Sequence, residues 1–203
     1  MRSSSAVKKI VVVGPESTGK SSLCERLSQH FDTIWCREYA REYLLKHGTD
    51  YSYDNLLEIA KGQIAMEEKY IRIVEEDQAA TGLSRLPTND SRLPTHHSPL
   101  LFIDTDMYVM KVWCKFVFGK CHAWILNQIE ERKYDLYLLC NVDLPWVKDE
   151  LREYPDLARR KKLYDIYREI MLKQAVPWID ISGNYEERFQ KAVNAVDALQ
   201  KKE

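Results

Sequence analysis

At 203 residues the chain has the length of one domain, able to bury roughly 70% of its extended surface. Its 30 basic and 31 acidic residues leave a formal net charge of −1, which speaks against bulk binding to nucleic acid or to an acidic membrane surface. Five cysteines, Cys24, Cys36, Cys114, Cys121 and Cys140, are odd in number and make no C-x-x-C pair, which argues against a disulfide frame or zinc site and for the reduced thiols of a cytosolic protein.

The chain opens on a short polar lead, Met1-Arg2-Ser3-Ser4-Ser5, with no apolar core for a signal peptide, and no later run approaches the ~20 apolar residues of a membrane span. A soluble cytoplasmic protein is expected. Val7 to Val13 is then an almost unbroken β-branched run, the pattern of a central strand covered on both faces. Directly after it comes Gly14-Pro15-Glu16-Ser17-Thr18-Gly19-Lys20-Ser21, with the spacing G-x-x-x-x-G-K-[ST]. Leu23, Leu27 and Phe31 follow at helical spacing, so the motif sits between a strand and a helix. Glycines there let successive N–H groups turn inward around a phosphate, and the helix adds its positive end at the same point. Lys20 suits the outer phosphates of a nucleoside triphosphate, and the Ser21 hydroxyl suits Mg²⁺.

Thr33 to Cys36 is a short strand candidate that passes at once into a helical stretch, Arg37 to Lys46, closed by Gly48. Open parallel sheets bind ligands beyond their carboxyl edges, which makes Glu38 a candidate for touching substrate. The alternative is a solvated helix face, with Glu42 and Lys46 paired one turn apart. Asn55 with Glu58 has the form of a capping box for a helix running through about Ala80, with Leu57, Ala60, Ile64, Ile71 and Val74 as its apolar stripe. Gly62 inside that helix costs about 1 kcal/mol against alanine and is put down to packing, a close approach being the other reading.

Residues 82–99 differ in kind. Ser84-Arg85-Leu86-Pro87-Thr88 recurs as Ser91-Arg92-Leu93-Pro94-Thr95 seven residues later, and the segment has no periodicity. It is expected to be a mobile surface insertion, and His96-His97 lack further ligands at metal-binding spacing. Leu100 to Asp104 then has the form of a Walker B strand: four apolar residues and a carboxylate that holds Mg²⁺ or its waters opposite the phosphate loop. Asp106 adds a second carboxylate at the start of a helix to about Phe118; Gly119 interrupts it, and His122 to Lys133 resumes helical spacing. The aromatics Tyr108, Trp113, Phe116, Phe118 and Trp124 read as core, with room for one to stack on a planar ligand.

Tyr134 to Cys140 is a fourth strand. Beyond it, residues 141–162 carry Arg152, Arg159 and Arg160 and suit a lid whose arginines close over a transferring phosphoryl group. The competing reading makes Arg159 and Arg160 the solvated side of a helix whose buried side is Leu163, Ile166, Tyr167 and Ile170. Val176 to Ile181 is the last strand, followed by a turn at Ser182-Gly183-Asn184 and an amphipathic helix with Phe189, Val193 and Val196. Five strands alternating with helices predict one α/β domain over residues 1–203, a parallel five-stranded sheet in a three-layer P-loop sandwich, with strand order 2-3-1-4-5.

The phosphate loop, Glu38-Tyr39-Ala40-Arg41-Glu42, Phe102-Ile103-Asp104-Thr105-Asp106, Gly119-Lys120 and Trp146 to Arg152 together resemble the nicotinamide-riboside kinase domain of NadR-type bacterial NAD-synthesis proteins, within a group of P-loop proteins labelled AAA-like. The resemblance covers nearly the whole chain apart from the insertion. It implies ATP- and Mg²⁺-dependent phosphorylation of the 5′-hydroxyl of nicotinamide riboside, with the Glu38 region and Asp106 facing the riboside. The sequence departs from the family pattern at Arg37, where members carry an aromatic residue, and at Val109-Met110, where they carry threonines. No H-x-G-H-type nucleotidyl-transfer motif occurs, so only the phosphorylation step is expected.

On this reading Gly14, Pro15, Glu16, Ser17, Thr18, Gly19, Lys20, Ser21, Ser22 and Arg159 bind ATP, and Ser21 with Asp104 holds the metal. Lys20, Asp104, Asp106, Glu38 and Arg152 form the catalytic set, with Asp106 and Glu38 equally placed to orient and deprotonate the acceptor hydroxyl. The expected partner is a small-molecule nucleoside, without nucleic acid or membrane, and a homo-oligomer is left open. The rival classes are another nucleoside's kinase, a regulatory nucleotide switch, and a phosphoinositide- or protein-binding module. A Ras-type switch is disfavoured because no Asn-Lys-x-Asp occurs and the only D-x-x-G, Asp180 to Gly183, lies on the wrong strand.

Overall fold

The run Ile10 to Val13 has no polar side to offer solvent, so the strand that contains it must be sandwiched. In the computed structural model, which describes residues 6–83, 98–148, 150–151 and 155–201, it is. The first strand, β1 (Lys8–Val13), lies mid-sheet between β3 (Leu100–Asp104) and β4 (Leu136–Cys140) and pairs in parallel with both. The short β2 (Trp35–Cys36) flanks β3, and β5 (Trp178–Ile181) flanks β4, also in parallel. The order β2-β3-β1-β4-β5 matches the arrangement expected from the sequence. The register pairs Val12 with both Asp104 and Leu138, so the ends of the three middle strands meet on one edge.

Alternate side chains supply the two faces. Ile10, Val12, Leu100, Phe102, Leu138 and Cys140 pack beneath α1 (Lys20–His30) and α7 (Tyr185–Gln200). Val11, Val13, Leu101, Ile103, Tyr137 and Leu139 pack on the other face with Val112 of α4 (Met107–Phe118) and Leu163, Tyr167 and Met171 of α6 (Leu157–Lys173). A third cluster joins α2 (Tyr39–His47), α3 (Tyr53–Leu83), α4 and α5 (Ala123–Glu131) through Leu44, Leu56, Ile59, Met110 and Ile125. The five thiols are free, and all but Cys121 are buried.

Helix α3 starts earlier than the Asn55–Glu58 box predicts. The box is Ser52 with Asn55: the Asn55 amide donates to Ser52 Oγ at 3.3 Å, and the Ser52 amide donates to Asn55 Oδ1 at 2.9 Å. A serine three residues before an asparagine gives the same reciprocal bonding, which is why the motif could be read one turn too late. Gly62 proves to be a close approach. A Cβ there would lie 2.0 Å from Cε1 of Tyr39, so the bare backbone is what lets α2 and α3 meet. The two Ser-Arg-Leu-Pro-Thr copies, His96-His97 and Arg152 lie outside the described residues.

Candidate active site

The loop from Gly14 to Gly19 joins β1 to α1 and is shaped by residues that tolerate unusual backbone angles. Gly14 has φ 140° and lies so close to β4 that a Cβ would come within 2.7 Å of the Cys140 carbonyl; Gly19 has φ 77°. Within the loop the Thr18 hydroxyl donates to the Pro15 carbonyl at 2.7 Å, and Lys20 Nζ donates to the same oxygen at 3.0 Å. Three more groups brace it from outside. Arg188 of α7 donates to the Thr18 carbonyl at 2.8 Å, Arg160 of α6 donates to the Ser17 carbonyl at 3.1 Å, and the Val147 amide donates to Ser17 Oγ at 3.0 Å.

Asp104 ends β3 facing this loop. Its Oδ2 accepts a hydrogen bond from Ser21 Oγ at 2.5 Å, while Oδ1 is buried and has no hydrogen-bond partner among the described residues. Burial and the neighbouring Glu38 carboxylate push its pKa up to about 6, against the opposing pull of Lys20 and Ser21. A buried carboxylate oxygen left without a partner beside a serine hydroxyl is a pair of hard oxygen donors, and the residues fit Mg²⁺. Among the described residues no cluster of three or more His, Cys, Asp or Glu side chains could hold a metal alone, so water or phosphate oxygens would complete the shell.

Thr105 decides what the two aspartates do. It has φ 79°, a left-handed conformation that a β-branched residue adopts only under constraint. Its amide donates to the Val12 carbonyl at 3.2 Å and its hydroxyl to Glu38 Oε1 at 3.4 Å. The reversal turns Asp104 to the loop and Asp106 away from it. Asp106 is the N-cap of α4: its Oδ1 accepts from the amides of Tyr108 and Val109 at 3.0 and 3.3 Å, and its Oδ2 accepts from the Tyr137 hydroxyl at 2.8 Å. It is 1% exposed and does not line the cavity described below. The expectation that Asp106 faces the riboside is therefore corrected, because both oxygens are committed to the cap and the sheet.

Burial pushes the Asp106 pKa up to about 7, against the hydrogen bond from Tyr137 and the amides of the cap. The native state thus keeps this proton to higher pH than the unfolded chain does. Stability is fullest below the ordinary carboxylate range and falls as pH rises towards about 7, by up to ~1.4 kcal/mol per pH unit. Asp106→Asn keeps the cap, since asparagine serves that position as well. Urea unfolding at pH 5 and pH 8 is expected to show a smaller loss of stability for the variant than for the wild type. Equal losses would mean that Asp106 does not carry the shift.

Of Glu38 and Asp106, Glu38 is the carboxylate that lines the cavity. It is the N-cap residue of α2, and the turn before that helix is held by the buried Gln63, whose Oε1 accepts from the Tyr39 amide at 2.7 Å and whose Nε2 donates to the Arg37 carbonyl at 3.3 Å. A cavity of about 240 Å³ opens between these elements. All nine loop residues from Gly14 to Ser22 line its polar end together with Glu38; Ala40, Leu44, Val109, Val112, Trp113, Phe116, Leu151 and Leu163 make the other end mostly apolar, with Arg41 and Tyr167 beside them.

A family model described as an AAA domain matches residues 9–188. The chain belongs to the AAA domain family. Among its relatives, this AAA domain is 25% identical over 194 residues to the trifunctional NAD biosynthesis/regulator protein NadR of Salmonella typhimurium, covering 95% of this chain and 43% of the relative. A crystal structure of NadR protein in complex with NR has a TM-score of 0.70 at 20% identity, covering 95% of this domain and 49% of that chain. Thymidylate kinase from Ehrlichia chaffeensis has a TM-score of 0.59 at 12% identity, covering 94% of the domain and 99% of the kinase. The domain thus spans less than half the length of the curated relative and shares a fold with a nucleotide kinase along nearly its whole length.

Within the AAA domain, arginine positions differ from expectation. Arg159 is exposed on α6, its amide capped by Asp156 Oδ1 at 2.8 Å, and it does not line the cavity. The next residue, Arg160, is the one that reaches the loop, in phase with the buried Leu163, Tyr167 and Met171. Arg188 is not among the residues that the sequence motifs single out, although it shares a buried face with Ala192, Val193 and Val196. A charged residue in phase with an apolar stripe was the available signal in both cases. Among the described residues no helix is long and apolar enough to cross a membrane.

Proposed function

We propose that this chain is an ATP- and Mg²⁺-dependent kinase that phosphorylates the 5′-hydroxyl of nicotinamide riboside, giving the mononucleotide. The observation that carries the reading is the cavity itself: one end is the phosphate loop, the other is largely apolar, and the Glu38 carboxylate stands with them. A triphosphate in the loop and a nucleoside against the apolar walls would bring the γ-phosphorus and a hydroxyl together beside that carboxylate. The likeness to NadR protein, one solved structure of which holds NR, supports this acceptor over other nucleosides.

In the proposed reaction the loop amides and Lys20 hold the β- and γ-phosphates, and Ser21 with Asp104 holds Mg²⁺. The cation, when bound, offsets the charge that develops on the phosphate oxygens. Glu38 accepts a hydrogen bond from the acceptor hydroxyl and takes its proton. The new bond joins the 5′-oxygen to the γ-phosphorus, the bond from that phosphorus to the β,γ-bridging oxygen breaks, and ADP leaves. Residues 1–203 act as one kinase domain in the cytoplasm, with 141–162 as a lid in which Arg152 compensates charge; Arg160, rather than Arg159, supports the loop from α6.

ADP formation with Mg²⁺ and ATP, measured across a panel of nucleosides, tests the reading. Nicotinamide riboside is expected to raise the rate far above that with ATP alone. Stimulation by a different nucleoside and not by a pyridine riboside would leave the kinase class and reject the acceptor.

A further inference from the structure

The apolar end of the cavity contains one side chain whose orientation is fixed by a bond of its own. Trp113 lies six residues beyond the start of α4, about 9 Å along the helix axis at the usual rise, on the face shared with Val109, Val112 and Phe116. Its Nε1–H donates to the Tyr51 hydroxyl at 2.8 Å, and the Tyr51 ring meets the indole edge-on, 5.0 Å away at 77°. Tyr51 is seated in turn edge-on to Phe118, at 6.3 Å. With its one polar atom committed to Tyr51, Trp113 presents carbon surface to the cavity, and apart from Arg41 the lining around it is apolar or aromatic.

Building on the proposed kinase reading, we propose that Trp113, held in place by Tyr51, is the residue that recognises the planar ring of the acceptor nucleoside. The rise along α4 sets Trp113 about 9 Å from the helix end that follows Asp104, the residue bonded to Ser21 of the loop. Recognition is by the face of the ring. Stacking on an indole needs a π-system but reads no hydrogen-bonding edge, and a positively charged pyridinium ring gains further from the indole's electron-rich face. The site therefore selects a nucleoside over free ribose strongly, and one planar ring over another weakly. Trp113 acts as a specificity residue in contact with substrate, and Tyr51 as a positioning residue that acts through it.

Two variants of Trp113 separate ring contact from simple bulk. Trp113→Phe keeps an aromatic face and removes the fluorophore; Trp113→Leu keeps an apolar side chain close in size to phenylalanine and removes the ring. Titrating the wild type with nicotinamide riboside, without ATP, is expected to quench tryptophan emission, and free ribose to leave it unchanged. In Trp113→Phe most of the quench should vanish although four other tryptophans remain. In Trp113→Leu the KM for the riboside should rise about tenfold or more with kcat changed much less, and Tyr51→Phe should give a smaller rise of the same kind. An undiminished quench in Trp113→Phe, no quench in the wild type, or a wild-type KM in Trp113→Leu would each overturn the assignment. A wild type that binds the riboside with this quench but transfers no phosphoryl group to any nucleoside would instead reject the kinase reading and leave the ring contact standing.

Discussion

Lys20→Ala is expected to lower turnover by about 10²- to 10³-fold while leaving the urea unfolding midpoint close to that of the wild type. The size follows from removing one fixed charge from a site where negative charge moves between phosphate oxygens in the transition state. The intact fold follows from what the side chain touches: Nζ donates to the Pro15 carbonyl at 3.0 Å within the loop, and the residue lines the cavity instead of the core. At the start of α1 alanine is also a good helix former. Near-normal turnover in this variant would mean that the phosphate loop is not where the chemistry occurs.

Arg188→Ala is expected to cost about 3–5 kcal/mol of stability, the largest loss foreseen for a side chain outside the apolar core. Arg188 is 3% exposed and ties four parts of the chain together. It donates to the Gly183 carbonyl at 2.8 Å, the Thr18 carbonyl at 2.8 Å and the Asn141 carbonyl at 2.7 Å, and it pairs with Asp143. Truncation leaves three carbonyl oxygens and a carboxylate without that donor. Arg188→Lys should recover only part of the loss, since a single ammonium cannot reproduce the planar fork. Urea unfolding of the three proteins checks the order; an alanine variant within about 1 kcal/mol of the wild type would contradict this account of how the loop is braced.

Local chemistry made much of this molecule legible from the chain. The β-branched run before Gly14, the glycine spacing of the loop and the aspartate closing Leu100 to Asp104 each act through neighbours in sequence, and each takes the predicted place. The strand order followed because a phosphate loop after the first strand and an acidic end to the third constrain which strands adjoin. What could not be read depends on partners far along the chain. Arg188 meets Thr18 across 170 positions, and Arg160 meets Ser17 across 143. Asp104 and Asp106 look equivalent as letters; the positive φ of Thr105, fixed by contacts to β1 and to Glu38, sends one to the loop and the other to a helix cap. Gly62 reads as plain packing in the sequence because the ring that fills its place, Tyr39, comes from another helix.

The central claim is transfer of a phosphoryl group from ATP in the loop to a nucleoside hydroxyl beside Glu38. Incubating the wild-type protein with Mg²⁺, ATP labelled in its γ-phosphoryl group and nicotinamide riboside, then separating the products, tests it most directly. The account predicts label in the riboside 5′-monophosphate, formed in step with ADP and abolished when the riboside is omitted. Label found solely in inorganic phosphate, at a rate the riboside does not change, would contradict it.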